Sequence, residues 1–445
     1  MDYTQITDQH EASMLAAIGV TSIEDLFAPI PRAHRLKRPL DVPPGLSELE
    51  MLADANALAA KNKHTGDLVC FAGCGAYDHF IPTIVDHLAM RGEFLTAYTP
   101  YQAEASQGTL QAFYEFQTMI CELTGMDVAN ASLYESASAA AEAVQMARSA
   151  TGRTRVLVAG SCHPDVRETL EAYATPQRYS VVTVPARDGL IAKRDLHEAL
   201  GDDTAAVVLA FPNFFGLLED LATLIKEVHK HGALAVVVFD PIAAGMLKRP
   251  GDFDADIVVG EGQALGIPLQ YGAPYLGFMA TRDAFLRRMP GRLVGVASDE
   301  AGRRGFALVL QTREQHIRRD KATSNVCTNQ GLMAMRATVY MAAMGKKGLR
   351  EAASLSFDKA HYAAGEIAKL PGYKLRFGAP FFKEFVVQSQ RPVADVLKHC
   401  RAKGILAGVA LSRWHKDMAD CFTVAVTEKR TRQEIDALVK ALKEI

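Results

Sequence analysis

Between residues 155 and 282 one pattern recurs: RVLVAG (155–160), SVVTVPA (180–186), AAVVLAF (205–211), LAVVVFD (234–240), DIVVG (256–260) and YLGFMATR (275–282) alternate with helical stretches. Such near-continuous apolar, β-branched runs have no polar face to show to water. Each therefore reads as a strand buried on both sides, covered by the helices between. The pattern predicts a doubly wound α/β domain with a mostly parallel sheet, whose ligands bind at the carboxyl ends of the strands.

The flanks differ from this centre. Residues 1–65 combine a helical stretch, a Pro-rich connector (FAPIPRAHRLKRPLDVPPG, 27–45) and a second helix from about Ser47. They read as an arm lying on another surface, too small to fold alone. After the basic segment REQHIRRDKATSNVCTNQG (313–331) comes a long helix (Leu332 to Met344), then strands FFKEFVVQ (381–388) and CFTVAVTE (421–428) interleaved with helices. This predicts a smaller α+β domain, ending in a helix opened by a capping box from Thr431 to Glu434. The expected division is an arm at 1–65, a large domain at 66–330 and a small domain at 331–445.

At 445 residues the chain exceeds what one core supports, which fits this division. The composition, 49% hydrophobic and 22% charged, is ordinary for a globular protein, and a net charge of −2 offers nucleic acid no electrostatic attraction. Seven cysteines (70, 74, 121, 162, 327, 400 and 421) are odd in number and form no CxxC pair, against both a disulfide framework and a zinc ribbon. The start MDYTQITDQHEASMLAAIG has no basic leader before an apolar core, and no apolar run reaches the roughly 20 residues of a bilayer span. A cytoplasmic protein without membrane or nucleic-acid partners is expected.

Several constellations carry competing readings. Asp240 ends the strand LAVVVFD, where a carboxylate could hold a ring nitrogen protonated; alternatively it caps the loop Pro241 to Gly245. Ser136 and Ser138 open the helix of YESASAAAEAVQMA, where free N–H groups suit a phosphate, or one of them is a plain N-cap. Gly260, Gly262 and Gly266 are spaced GxGxxxG, which is not the nucleotide fingerprint. Asp78, His79, Asp86 and His87 could share a helix face as metal ligands, but no third histidine or cysteine joins them, and no metal is expected. His229 and His231 end an amphipathic helix, where the dipole accounts for them. His163, just after a strand, is a candidate for stacking on a planar ligand or for capping.

The densest signal is the run FAGCGAYDHF to MDVANAS (71–132). Its loop AYTPYQAEASQG (97–108) gathers Tyr98, Thr99, Tyr101, Gln102 and Glu104 around Pro100. So many hydroxyls with so little apolar bulk point beyond a mere connector, to a site lining or a subunit contact. With PNFFGLLED (212–220), DIVVGEGQALGIPLQYGAPYLGFMATR (256–282) and QTREQHIRRDKATSNVCTNQ (311–330), these runs resemble the N-terminal half of the glycine-cleavage P-protein, the pyridoxal-phosphate-dependent glycine decarboxylase. The resemblance covers essentially the whole chain and is to the first subunit of the split form.

That resemblance implies an aminotransferase-like large domain of pyridoxal-phosphate fold type I. It also implies a heterotetramer in which only the second subunit carries the cofactor lysine. Glycine would lose CO2 on that partner's pyridoxal phosphate, and the aminomethyl group would pass to the lipoyl disulfide of the H-protein. In this chain the segment 256–277 occupies the place of the Schiff-base lysine and contains none; the amide of Gln263 cannot form an imine. The resemblance implies that Tyr98, Thr99, Tyr101 and Gln102 line the substrate side of the partner's cofactor, and that Thr323, Ser324 and Asn325 reach its phosphate. One departure is Ala103, where the family often has proline, so the loop loses a φ restriction. Two rival readings remain: a scaffold that only stabilises the partner and docks H-protein, and a self-sufficient enzyme using a displaced lysine such as Lys248 or Lys321. The isolated chain would be able to pair with itself through the inherited, roughly self-complementary interface.

Overall fold

The computed structural model describes residues 5–97, 102–270, 274–322, 324–326 and 330–445. Residues up to Lys63 form one compact unit and His64–Ile445 a second. In the first, α1 (Asp8–Ile18) starts at a capping box between Thr7 and His10, and α2 (Glu48–Ala59) at one between Ser47 and Glu50. Those boxes satisfy the free N–H groups of each first turn, which is why both helices start where a hydroxyl residue stands. None of the described residues of this unit is buried, and Phe27, Leu40, Val42 and Leu49 are exposed.

The second unit is built on a seven-stranded sheet. Its elements in chain order are α3 (Thr83–Ala89), α4 (Gln107–Thr124), β1 (Val128–Ala129), α5 (Ser136–Thr151), β2 (Arg155–Ala159), α6 (Pro164–Gln177), β3 (Ser180–Val184), α7 (Lys193–Ala199), β4 (Thr204–Phe211), α8 (Leu221–Lys230), β5 (Leu234–Phe239), β6 (Ile257–Glu261) and β7 (Gly277–Thr281). The strand order is β1-β7-β6-β5-β4-β2-β3. Five strands, β3, β2, β4, β5 and β6, run parallel, while β7 is antiparallel to β6 and to β1. Every residue of β4 is buried, as its unbroken apolar run requires. The sheet is therefore the mostly parallel one expected, and the antiparallel β7 is the detail that the runs alone do not distinguish.

Helix α9 (Gly331–Ile367) is longer than expected and bends at Gly345, whose φ of 58° and ψ of −175° leave the helical region. It bridges two apolar cores. Ala334, Ala337, Tyr340 and Met341 pack in the core around the large sheet, and Ala360, Ala363, Ala364 and Ile367 in a second core. The second core lies around β8 (Tyr373–Leu375), β9 (Glu384–Ser389), α10 (Val393–Ala402), β10 (Val409–Ala410), β11 (Cys421–Ala425) and α11 (Arg432–Lys443), with sheet order β8-β9-β11-β10. The Thr431–Glu434 capping box stands at the start of α11 as expected. Among the described residues no helix is long and apolar enough to cross a membrane.

Besides α9, the loop after β4 and the stretch before β9 stitch the two cores together. Phe214 and Phe215, in the loop after β4, belong to the second core; Phe382, just before β9, belongs to the first, between Phe381 and Phe385 of the second. Gly216 makes the stitch possible: its φ is +81°, and a Cβ there would lie 1.8 Å from the carbonyl oxygen of Glu384. Only glycine lets the two backbones approach so closely.

Candidate functional site: the cleft at the carboxyl ends of the sheet

A cavity of about 270 Å³ opens where β4, β5 and β6 end, bounded by the start of α5 and by the loop through Tyr77. This is the position that parallel strands and their crossover helices leave open for ligands. Its acidic lining includes Asp240, Glu261 and Glu135, and its aromatic walls include Tyr77, His163 and Phe214.

Asp240 follows β5. Its Oδ1 accepts from the N–H of Ile242 at 3.0 Å, so it caps the turn Pro241–Gly245 as one of the two sequence readings has it. Its Oδ2 lies 2.7 Å from Nζ of Lys383, whose side chain is 1% exposed. The same Nζ is 2.9 Å from Nε2 of His79 and 3.9 Å from the centre of the Tyr77 ring. On its far side the imidazole, through Nδ1, is 2.6 Å from Oε2 of Glu428, whose Oε1 accepts from the N–H of Phe80 at 2.7 Å. Burial alone would raise the Glu428 carboxyl; the charge and hydrogen bond of His79, with the Phe80 N–H, outweigh it and hold the pKa at about 2. Next to Lys383, the buried Glu384 accepts from the hydroxyl of Tyr77 at 2.8 Å and from the N–H of Cys74 at 2.9 Å, and burial pushes both Glu384 and Tyr77 up.

The start of α5 is closed by carboxylates. Glu135, not a serine, is the N-cap: it accepts from the N–H groups of Ala137 (2.6 Å) and Ser138 (2.9 Å) and from the Ser138 hydroxyl. The N–H of Ser136 donates to Glu261 at 3.2 Å, and Glu261 also accepts from Gln263 and Leu276, each at 3.0 Å. Burial nevertheless pushes Glu261 up to about 8, against those N–H groups. Gln263 itself is 2% exposed. Its Oε1 accepts from the N–H of Tyr77 at 2.9 Å, and its Nε2 donates to the carbonyls of Tyr77 (3.1 Å) and Ile267 (2.7 Å). The amide that stands in the lysine's place staples the Tyr77 loop to the turn after β6.

Other residues singled out in the sequence fall as follows. His163 lines the cleft and also caps α6: its Nδ1 accepts from the N–H of Asp165 at 3.0 Å, and its Nε2 is 3.0 Å from the carbonyl of Cys74, which fixes a neutral ring with the proton on Nε2. Burial lowers its pKa, in keeping with that neutral form. Asp78 and His79 do not share a helix face with Asp86 and His87, because α3 begins only after Pro82. Asp78 pairs with Lys429 and Arg430, and Asp86 with Arg336. His229 is held by Asp256 at 2.8 Å. Among the described residues, His197, Glu227 and His231 bring donor atoms within 4.8 Å of one another, but Lys193 and Lys230 already hold Glu227. Tyr98, Thr99, Tyr101 and Thr323 lie outside the described residues. Gln102 and Asn325 are exposed, and the Ser324 hydroxyl accepts from the N–H of Val326 at 3.0 Å. Lys383 and Glu135 were missed by the sequence reading. A Lys-Glu pair inside the apolar run FFKEFVV is the signal that could have found the first.

The family model for the glycine cleavage system P-protein matches residues 1–442. The chain belongs to that family. It is 50% identical over 445 residues to the probable glycine dehydrogenase (decarboxylating) subunit 1 of Carboxydothermus hydrogenoformans, covering 99% of both chains. It is 47% identical to the protein of the same description from Desulfitobacterium hafniense, covering both completely. A crystal structure of glycine decarboxylase (P-protein) in inhibitor-bound form superposes with a TM-score of 0.92 at 42% identity, covering both chains completely. A sphingosine-1-phosphate lyase of Burkholderia pseudomallei (TM-score 0.66, 14% identity, 93% of this chain and 94% of that one) shares the fold alone. The fold is the aminotransferase-like one of pyridoxal-phosphate enzymes of fold type I.

The cofactor that this fold family implies does not fit the residues present. Pyridoxal phosphate needs an amine for its aldehyde, a free carboxylate for its ring nitrogen and open N–H donors for its phosphate. Here the amine is an amide bonded to Tyr77 and Ile267, the carboxylate is paired with Lys383, and the helix N–H groups are held by Glu135 and Glu261.

Proposed function

We propose that the chain is the lysine-lacking subunit of the glycine decarboxylase of the glycine cleavage system, inactive alone and active with a lysine-bearing second subunit. In this reading the second subunit binds pyridoxal phosphate covalently and removes CO2 from glycine, and the complex passes the aminomethyl group to the lipoyl disulfide of the H-protein. This chain contributes the segment Tyr98, Thr99, Tyr101 and Gln102 to the substrate side of the partner's cofactor, and Thr323, Ser324 and Asn325 to its phosphate. The complex is a cytoplasmic heterotetramer, and the chain divides into an arm at 1–65, a large domain at 66–330 and a small domain at 331–445.

The observation that carries the reading is the spent amide of Gln263 in a chain matching subunit-1 proteins from end to end. The exposed apolar residues of the first unit also suit an arm that needs another surface. The test is glycine–bicarbonate exchange with the chain alone, with the second subunit alone and with both. Activity only in the mixture supports the proposal, and activity of the chain alone defeats it. Tyr98→Phe in the mixture then separates a contributing subunit from the second reading, a scaffold: a tenfold or larger loss, about 1.4 kcal/mol in the barrier, supports direct lining.

A further inference from the structure

Lys383 is nine-tenths buried and more, yet its ammonium has a partner in each of three directions: Asp240 at 2.7 Å, His79 at 2.9 Å and the face of Tyr77 at 3.9 Å. At 2.9 Å only one of the two nitrogens of Lys383 and His79 can carry the proton that lies between them. The pair therefore holds one positive charge, whichever nitrogen bears it, between the carboxylates of Asp240 and Glu428. Asp240 comes from the strand ends of the first core, and Lys383 from the stretch Phe381–Phe385 that threads both cores. It approaches Asp240 from behind the cavity, which Asp240 and Tyr77 line and Lys383 does not.

We propose that Lys383, sharing one positive charge with His79, fills at Asp240 the electrostatic place of a protonated cofactor ring, so that this chain closes its two cores around its own side chain and its cleft refuses a pyridoxal even when an amine is restored at position 263. A half-buried carboxylate at the end of β5, 15% exposed and facing the cleft, would without a positive neighbour be a partly desolvated, unpaired charge, which costs stability. A cofactor-bearing protein can meet that cost with its ligand. This chain meets it with a lysine, and does so before any partner binds. The inference concerns the chain alone and does not rest on the partnership proposed above.

The experiment has two arms. In the first, Lys383→Ala in the full chain should lower Tm by about 5 °C. Added n-propylammonium should restore most of that loss, while n-propanol, of similar shape and no charge, should not. An unchanged Tm, or equal rescue by the alcohol, overturns the counter-ion role. Should Lys383→Ala not fold, Lys383→Met is compared with Lys383→Met/Asp240→Asn: the double variant is expected to be the more stable, and a double variant no better than the single overturns the pairing. In the second arm the probe is pyridoxal, which has no phosphate to compete with Glu135. Gln263→Lys alone should give no borohydride-stable adduct at position 263, whereas Gln263→Lys/Lys383→Met should trap pyridoxal there. Equal trapping in the two, or none in either, overturns the claim that Lys383 excludes the ring.

Discussion

The cleft and the N-terminal unit, the expected arm, handle their difficult groups in opposite ways. In and behind the cleft, polar groups drawn out of bulk water are paired within the chain: Asp240 with Lys383, Glu428 with His79, the α5 N–H groups with Glu135 and Glu261, and Gln263 with Tyr77 and Ile267. In the arm, no described residue is buried, and Phe27, Leu40, Val42 and Leu49 stay in water. A cleft that is complete in itself has little left to offer a cofactor, and an arm that is incomplete has much to offer another surface. Both properties suit a subunit more than a self-sufficient enzyme.

The contrast can be broken most severely at Gln263. Gln263→Ala removes three hydrogen bonds and leaves groups on Tyr77 and Ile267 unpaired, so urea unfolding of the chain should show a loss of about 3 kcal/mol. Glu135→Ala comes next. Loss of the N-cap should cost about 1–2 kcal/mol, and inorganic phosphate should then raise Tm in the variant while leaving the unaltered chain as it was.

A third effect is a slope with pH. The folded-state pKa of Glu261, raised from 4.5 to about 8, means that the native chain binds this proton more tightly than the unfolded one. Its contribution to stability is therefore present below the unfolded value and is lost as pH rises through the folded one. Tm measured between about pH 5 and about pH 8 should fall more steeply in the unaltered chain than in Glu261→Gln. The smallest effect is expected in the arm. Leu49→Asp should leave the stability of the isolated chain within about 0.5 kcal/mol, while weakening its complex with the second subunit, as read by titration calorimetry.

How much of this was legible in the sequence follows from the range of the interactions. The strands were legible because each apolar run is its own evidence: β4 begins one residue before the marked stretch 205–211 and ends with it. The cap at Thr431 was legible because its partner Glu434 is three residues away. The missing amine at Gln263 is a property of one residue type and needs no structure. Its partner Tyr77, however, is 186 positions away, and Lys383 and His79 are 304 apart; no local spacing announces such pairs. The acidic cap of α5 was hidden for another reason. Serines 136 and 138 are the expected capping residues, but the longer Glu135 side chain reaches back over the same N–H groups first. The shared face assigned to Asp78, His79, Asp86 and His87 failed because Pro82 delays the helix until Thr83.

Among the described residues, this chain has spent on itself the position of the amine, the carboxylate and the helix N–H groups by which pyridoxal phosphate would be held. The most direct test of this central claim is mass spectrometry of the purified full chain after incubation with pyridoxal phosphate and glycine and reduction with borohydride, alongside a measurement of released CO2. No adduct within the cleft is expected, and no CO2 until the second subunit and, as acceptor of the aminomethyl group, lipoylated H-protein are added. A stoichiometric adduct within the cleft, with CO2 released by this chain alone, would contradict the claim.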